Sequence, residues 1–226
     1  DFKLYVVDNC STDGTAEYIR DNYPEVELLV QPKNIGFGAG HNVVINKVSS
    51  KYHVVINPDI VFVENTIKNM IEYLDDNQDI GLLAPKICYP DGKVQILGKK
   101  VPHLKYIFAS RFRGDEPGKL LREYAMLDSD LSVPTDIENA SGCFMVFKTE
   151  VLKKIGGFDE RYFMYFEDCD ITRTVRRHAK AVFYPEAIVY HVWGRESKKN
   201  FKLMLVQISS MFKYFIKWAK PANRSK

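Results

Sequence analysis

Three carboxylates at the end of an aromatic run are the residues of this chain best placed to do chemistry: Phe163-Met-Tyr-Phe-Glu-Asp-Cys-Asp170. Packing that much aromatic surface beside acids is costly unless the acids act on a cation, a proton or a hydroxyl. In a helix start, Asp168 and Asp170 diverge by about 200° and cannot share one task. One of Glu167 and Asp168 can face a cleft, while Asp170 caps the helix or pairs with Arg173. Like charges this close raise at least one pKa, which suits a general base. An acidic helix N-terminus favoured by the dipole would account for one of the three acids, but not for the aromatic lead-in. Far upstream, Asn57-Pro-Asp59 ends an apolar run and puts a carboxylate where a hard divalent cation bridging two phosphates finds oxygen ligands. That tripeptide alone reads first as a turn. His191 closes another apolar run, where a lone histidine is as a rule packed or hydrogen-bonded rather than a ligand. Two acidic sites and a histidine, each ending a predicted element, point to one metal-assisted site assembled from distant segments.

The elements that must position these groups alternate. Residues 4–7 form a continuous apolar, β-branched run, expected as a strand buried on both faces. The turn cluster Asp8-Asn-Cys-Ser-Thr-Asp-Gly14 follows, then a short helix over 15–22. A strand is expected at 26–30, a glycine-rich loop at 34–42 entering a helix, and a strand at 53–56 that ends in Asn57-Pro-Asp59. Residues 64–77 have helical periodicity, with Ile67, Met70, Ile71 and Leu74 on one face. A further strand is expected at 80–84. Strand alternating with helix four times predicts an α/β fold with a parallel sheet and its active loops at the carboxyl ends of the strands. The pattern breaks over 89–136, an inserted excursion or flexible lid with short helices at 106–112 and 120–127. It resumes with a strand at 142–147, a helix at 149–155 ended by Gly156-Gly157, a helix at 168–178 and an extended segment at 181–184. From residue 202 onward an amphipathic helix is expected.

The loop Asn34-Ile-Gly-Phe-Gly-Ala-Gly-His-Asn42 invites a dinucleotide-binding reading but fails it, because His41 stands where the third glycine is needed. Glycines that let a helix N-terminus approach a ligand, and a purely structural tight turn, both remain open. No Ser-His-Asp spacing, Walker loop or zinc pattern is present.

Among 226 residues there are 13 Tyr and 14 Phe, enough for a full aromatic-rich core. The net charge of +3 conceals an asymmetry: residues 193–226 carry nine Lys or Arg against one Glu, which leaves −5 for the remainder. With an acidic body and no base-reading motif, nucleic acid is not an expected partner. The tail interleaves aromatics with lysines, Met211-Phe-Lys-Tyr-Phe-Ile-Lys-Trp218. It reads equally as a helix in a bilayer interface and as a terminal helix docked on the domain. Cys10, Cys88, Cys143 and Cys169 lack CxxC spacing, and reduced, mostly buried cytosolic thiols are expected. No run approaches a membrane span or reads as a signal peptide. The chain opens without Met almost directly on a strand, as if trimmed.

Taken in order, Val6-Val-Asp-Asn-x-Ser-x-Asp-Gly-Thr15, Asn34-x-Gly-Phe-Gly-x-Gly-x-Asn42, Asn57-Pro-Asp59, Ser141-Gly142, Gly156-Gly-Phe-Asp-Glu160, residues 163–170 and His191 resemble the family 2 inverting glycosyltransferases of the GT-A fold. The likeness is strongest to the bacterial rhamnosyltransferase-like branch and runs to about residue 197. It implies an α/β nucleotide-sugar-binding fold with a mostly parallel central sheet flanked by helices. Residues 1–197 would form the GT-A domain, and 198–226 a basic amphipathic helical tail. It implies that Asp8 contacts the nucleoside base, that Asn9, Ser11 and Asp13 shape that turn, and that Asn34, Gly36 and Asn57 line the nucleotide pocket. Asp59 would hold Mg²⁺ or Mn²⁺ on the donor diphosphate, helped by His191, with Asn57 replacing the first acid of the DxD motif. Asp168 would be the base, Glu167 would orient it or bind the acceptor, and Ser141 and Gly142 would meet the acceptor. The implied donor is dTDP-rhamnose, with a UDP-sugar as the alternative. The implied acceptor is a polysaccharide or lipid-linked glycan at the cytoplasmic face of the cell membrane. The family's usual first strand, ending near a Tyr-Asn pair, and its helix are expected to be missing. A catalytically inactive fragment or glycan-binding module is therefore the alternative function.

Overall fold

The computed structural model describes residues 1–111, 117–192 and 200–220. In chain order the elements are β1 (Tyr5–Asp8), α1 (Thr15–Asn22), β2 (Glu27–Val30), α2 (Phe37–Ile45), β3 (Tyr52–Ile56), β4 (Ile60–Phe62), α3 (Thr66–Asp76) and β5 (Ile80–Cys88). They continue with α4 (Leu104–Arg111), α5 (Lys119–Ala125), β6 (Thr135–Asp136), β7 (Phe144–Lys148), α6 (Thr149–Lys154), α7 (Glu167–Val175), β8 (Lys180–His191) and α8 (Phe201–Ala219).

The run Phe144-Met-Val-Phe shows why a strand sits at the centre. Phe144 and Val146 pack with Met70, Leu74, Leu83 and Val189 on one face of the sheet. Met145 and Phe147 pack with Ile45, Val55, Leu82, Leu152 and Ile171 on the other. Period-two alternation of large apolar side chains buries both faces at once. The six-stranded sheet runs β3-β7-β5-β8-β4, with β6 also on β8.

The α/β architecture is as expected, but its direction pattern is not. β7 enters between β3 and β5 antiparallel to both, and β8 pairs parallel with β5 and antiparallel with β4 and β6. The sheet is mixed because β7, which follows the 89–136 excursion, returns into the middle of the sheet from the opposite end. β1 and β2 pair parallel with each other in a separate two-stranded sheet. Residues 5–7 are accordingly only half-buried, not sealed on both faces.

Two further expectations change. The excursion is not a loose lid where it is described: Leu121 and Ala125 of α5 are buried, and Thr135–Asp136 pairs with β8. Phe112 of the expected 106–112 helix lies outside the described residues. Extended structure near 181–184 is one part of a twelve-residue strand. The cysteines are free, and all but Cys10 are buried. No described helix is long and apolar enough to cross a membrane. Instead, α8 docks on the domain through buried Ser210, Tyr214 and Trp218, joining Tyr162, Phe166 and Cys169.

Candidate active site

The glycine loop is shaped by the aromatic run that precedes the acids. Gly36 has φ 91° and ψ 174°. Phe37 N–H donates to Phe163 O at 2.9 Å, so the loop lies directly against residue 163. A Cβ at Gly36 would stand 2.4 Å from Phe163 O and 2.9 Å from its Cα. Gly36→Ala is therefore expected to cost roughly 2–4 kcal/mol, through a strained φ and an overfilled contact. Gly14, with φ 84° but open space around it, is the matched control, expected to lose only about 1–2 kcal/mol as Ala. Thermal melts of both variants check the difference.

The same loop gathers the upstream turn. Asn9 Nδ2 donates to Gly36 O at 3.2 Å, and Gly36 N–H donates to Asn34 Oδ1 at 2.9 Å. Asp8 is buried, and its Oδ2 accepts from Ser11 N–H at 3.1 Å. Exposed Asp13 accepts from Thr15 N–H and Oγ1, bonds that hold its carboxyl below the usual range. His41 packs between Phe37 and Phe158, with ring centroids 4.7 and 5.7 Å away, and burial pushes it down to about 4. The residue that broke the dinucleotide fingerprint is thus a half-buried histidine wedged between two phenylalanines.

Glu167 and Asp168 open α7 after two left-handed residues, Tyr165 at φ 69° and Phe166 at φ 67°. Such conformations cost about 1–3 kcal/mol each for non-glycine residues and persist only where packing enforces them. Here Phe166 is locked into the cluster with Tyr214 and Trp218. Asp168 Oδ2 accepts from Gly142 N–H at 3.2 Å and Oδ1 from Cys169 N–H at 2.8 Å. Thr172 ties the segment down: its hydroxyl donates to Asp168 O at 2.7 Å and accepts from Ala140 N–H at 3.2 Å. Burial raises the Asp168 carboxyl, against the pull of those two N–H donors. Glu167 is pushed up to about 8, by burial first and by Asp168 second. Its Oε2 is buried with no hydrogen-bond partner among the described residues. Two neighbouring carboxyls, Glu167 buried and Asp168 half-buried, therefore favour keeping one proton between them.

Asp170 points the other way, as the helical angle requires, but neither caps the helix nor pairs with Arg173. Its Oδ2 accepts from Lys217 Nζ at 2.6 Å and its Oδ1 from Trp218 Nε1 at 2.8 Å, both on α8. Arg173 lies over the Trp218 ring at 4.2 Å and donates to Tyr214 OH at 3.3 Å.

Asp59 and His191, 132 positions apart by number, meet where β4 pairs with β8: Nε2 lies 3.2 Å from Asp59 Oδ2. Asp59 is 46% exposed and lines a cleft of about 490 Å³ with Val61, Asp91, Tyr190 and Val192. Asn57 N–H donates to Cys143 O at 2.9 Å, which fastens this turn to the Ser141-Gly142-Cys143 segment. Burial pushes the Cys143 thiol up to about 11, and the charges of Asp168 and Asp59 both add to it. Cys143 thus lies within reach of both acidic motifs. Ser141 lines a second cavity of about 220 Å³ together with Lys99, Asn139 and Phe183. Among the described residues, no cluster of three or more His, Cys, Asp or Glu is assembled to hold a metal.

The family model for glycosyltransferase-like family 2 matches residues 1–210. The chain belongs to this family. It is 28% identical over 204 residues to an N-acetylglucosaminyl-diphospho-decaprenol L-rhamnosyltransferase of Mycobacterium tuberculosis, covering 83% of this chain and 66% of that protein. It is 23% identical over 203 residues to the rhamnosyltransferase WbbL of Escherichia coli, covering 84% and 74%. Among solved structures, a Pyrobaculum calidifontis mannosyltransferase in complex with GDP-Man and Mn²⁺ aligns with TM-score 0.60 at 16% identity, over 94% of this chain and 55% of that one. Staphylococcus aureus TarS aligns with TM-score 0.57 at 17% identity, over 92% and 56%. These likenesses show the GT-A fold.

Two features of this family member escaped sequence reasoning. Asn42 takes Phe158 N–H at 2.8 Å and donates to Phe158 O and Glu160 Oε1, so it stitches the glycine loop to Gly156-Gly-Phe-Asp-Glu160. Its place at the end of the glycine motif was the available signal. Tyr124, from the excursion, fills the space a side chain on Gly98 would need, and burial first, then the nearby Cys169 and Asp168, raise its hydroxyl pKa. Nothing local in the sequence marks it.

Proposed function

We propose that this chain transfers a sugar, rhamnose from dTDP-rhamnose, to a hydroxyl of a lipid-linked or cell-surface glycan precursor with inversion at the anomeric carbon. The observation that carries the reading is the paired acid at the head of α7: Asp168 on Gly142 N–H, beside Glu167 with an unpartnered buried oxygen. Asp168 takes the acceptor hydroxyl proton as that oxygen attacks the anomeric carbon. The bond from that carbon to the diphosphate breaks in the same step and its electron pair leaves on the diphosphate, so no covalent enzyme intermediate is needed. Glu167 orients the acceptor or the base, and Ser141 and Gly142 face the acceptor from between Asp168 and the 220 Å³ cavity. Asp8, Asn9, Ser11, Asp13, Asn34, Gly36 and Asn57 would line the nucleotide pocket. Residues 1–197 act as the catalytic domain and 198–226 as a tail at the cytoplasmic membrane face.

A divalent ion, Mg²⁺ or Mn²⁺, fits the residues present. Asp59 offers a carboxylate to the open cleft, and the His191 imidazole stands beside that carboxylate, with its Nε2 3.2 Å from Asp59 Oδ2. Two protein donors leave the remaining positions to diphosphate oxygens and water, as hard cations prefer. Asn57 is neutral where the motif has an acid, so Asp59 carries the coordination. When bound, such an ion offsets charge building on the departing diphosphate. Asp59→Ala is expected to weaken dTDP binding about tenfold or more in Mn²⁺ and not at all in EDTA. Equal weakening in both would remove the metal role.

One observation favours the second reading, a glycan-binding module without turnover: β1 and β2, which carry the Asp8 turn, are not hydrogen-bonded into the sheet that carries Asp59. Release of dTDP from dTDP-rhamnose, or of UDP from a UDP-sugar, separates the two. Metal-dependent release supports the transferase; glycan binding with no release supports the module. The product's anomeric configuration by NMR then tests inversion.

A further inference from the structure

We propose that α8 is an interfacial membrane helix, whose outward face of Phe201, Leu205, Ile208, Phe212 and Ile216 seats the catalytic domain in the headgroup–acyl boundary of an anionic bilayer. The proposal deepens the membrane placement above and rests on it for location only; it does not need the sugar chemistry.

The helix has two apolar faces, and the domain uses one. Ser210, Tyr214 and Trp218 are buried against α7 and the loop before it. The five outward residues are 68%, 50%, 39%, 59% and 63% exposed. Their spacing of four, three, four and four keeps them within a sector of about 80°, roughly opposite the docked face. A terminal helix that merely docks would carry polar residues there. A continuous apolar stripe left in solvent marks an interaction site.

Charge selects the occupant. Lys202 and Lys220 follow one edge of the stripe, about a quarter-turn from its centre, and residues 201–220 contain no acid. Lysines at that angle reach the level of lipid headgroups while the stripe enters the acyl boundary. A second copy of α8 would instead set lysine against lysine with no acid on the helix to answer it. At 19 residues and without the apolarity of a span, the helix lies along the bilayer rather than crossing it.

The seat is rigidly joined to the paired acids. Lys217 and Trp218 hold Asp170, two and three residues beyond Asp168 and Glu167. Ser210 Oγ donates to Met164 O at 2.8 Å, and Lys213 Nζ to Arg161 O at 2.6 Å. The helix that touches lipid therefore fixes the height of Glu167 and Asp168 above the bilayer, where a lipid-linked acceptor would present its hydroxyl.

The test is flotation of the whole chain with phosphatidylcholine vesicles and with equimolar phosphatidylcholine–phosphatidylglycerol vesicles. We expect binding to the anionic vesicles, weakened by salt. Phe212→Glu/Ile216→Glu should lower partitioning about tenfold or more, and Lys202→Glu/Lys220→Glu should erase the preference for anionic lipid. All four residues are exposed, so thermal melts should match wild type. Wild type that binds neither vesicle, or a Glu double variant that binds as well as wild type, overturns the proposal. So does a concentration-dependent dimer in sedimentation equilibrium that the Glu variant abolishes, since the face would then join two copies. Nucleotide binding in solution is measured in parallel. If it persists without vesicle binding, only the membrane seat fails; vesicle binding without nucleotide binding sinks only the transferase reading.

Discussion

Asp168→Asn abolishes sugar transfer, lowering kcat by roughly three orders of magnitude while dTDP affinity stays within about twofold. The substitution keeps the side chain's shape and its place against Gly142 N–H but removes the basic oxygen. The expected pH profile follows from the direction of the Asp168 shift. Burial raises that carboxyl, so the active ionised form is reached at higher pH than for an ordinary aspartate, and activity climbs as pH rises through the displaced value. Asp168 accepts two N–H bonds, whereas Glu167 Oε2 has no partner among the described residues, so Asp168 is the one of the pair whose ionised form is favoured. The acidic limb should vanish in Asp168→Asn. If the variant instead loses nucleotide binding, Asp168 is a ligand and not a base. Steady-state transfer assays and calorimetry on the same samples distinguish the two outcomes.

Asp170→Ala is the second large effect: a loss of about 3 kcal/mol, or roughly 10 °C in Tm for a chain of this size. Burial raises Asp170 even with Lys217 beside it, so the ion pair itself adds little net stability. The damage comes from what is left behind. Trp218 Nε1 and Tyr162 OH lose a buried acceptor, while Lys217 keeps Asp159 at 2.9 Å. Asp170→Asn retains an acceptor and should lose only about 1 kcal/mol. Hydrogen exchange should rise across 201–219 in the alanine variant. Unchanged protection there would mean that α8 is held by its apolar contacts alone.

The contrast between Asp168 and Asp170 shows what the chain discloses and what it withholds. Their divergence follows from helical geometry and is visible in the sequence. The partner of Asp170 is not, because Arg173 is the local choice at i+3 and Lys217 lies 47 residues away. A buried site against Trp218 outweighs the local rule. The strand expected at 142–147 was legible as a short continuous apolar run opened by a glycine, as suits a strand buried on both faces. The directions of its neighbours were not, since such a run reads the same in parallel and antiparallel sheets. β4, three residues directly after Asp59, carried too little pattern to stand out, yet it is what brings Asp59 to His191. Of the tail's two roles left open by its sequence, docking is observed through the aromatic face, and a second apolar face of the same helix stays exposed.

The most direct test of the central claim is calorimetric titration of dTDP, and of UDP, into the folded chain in Mn²⁺ and again in EDTA. The account predicts binding that depends on the metal, with dTDP the tighter of the two and the metal dependence lost in Asp59→Ala. No binding of either nucleotide by a chain that melts cooperatively would contradict it.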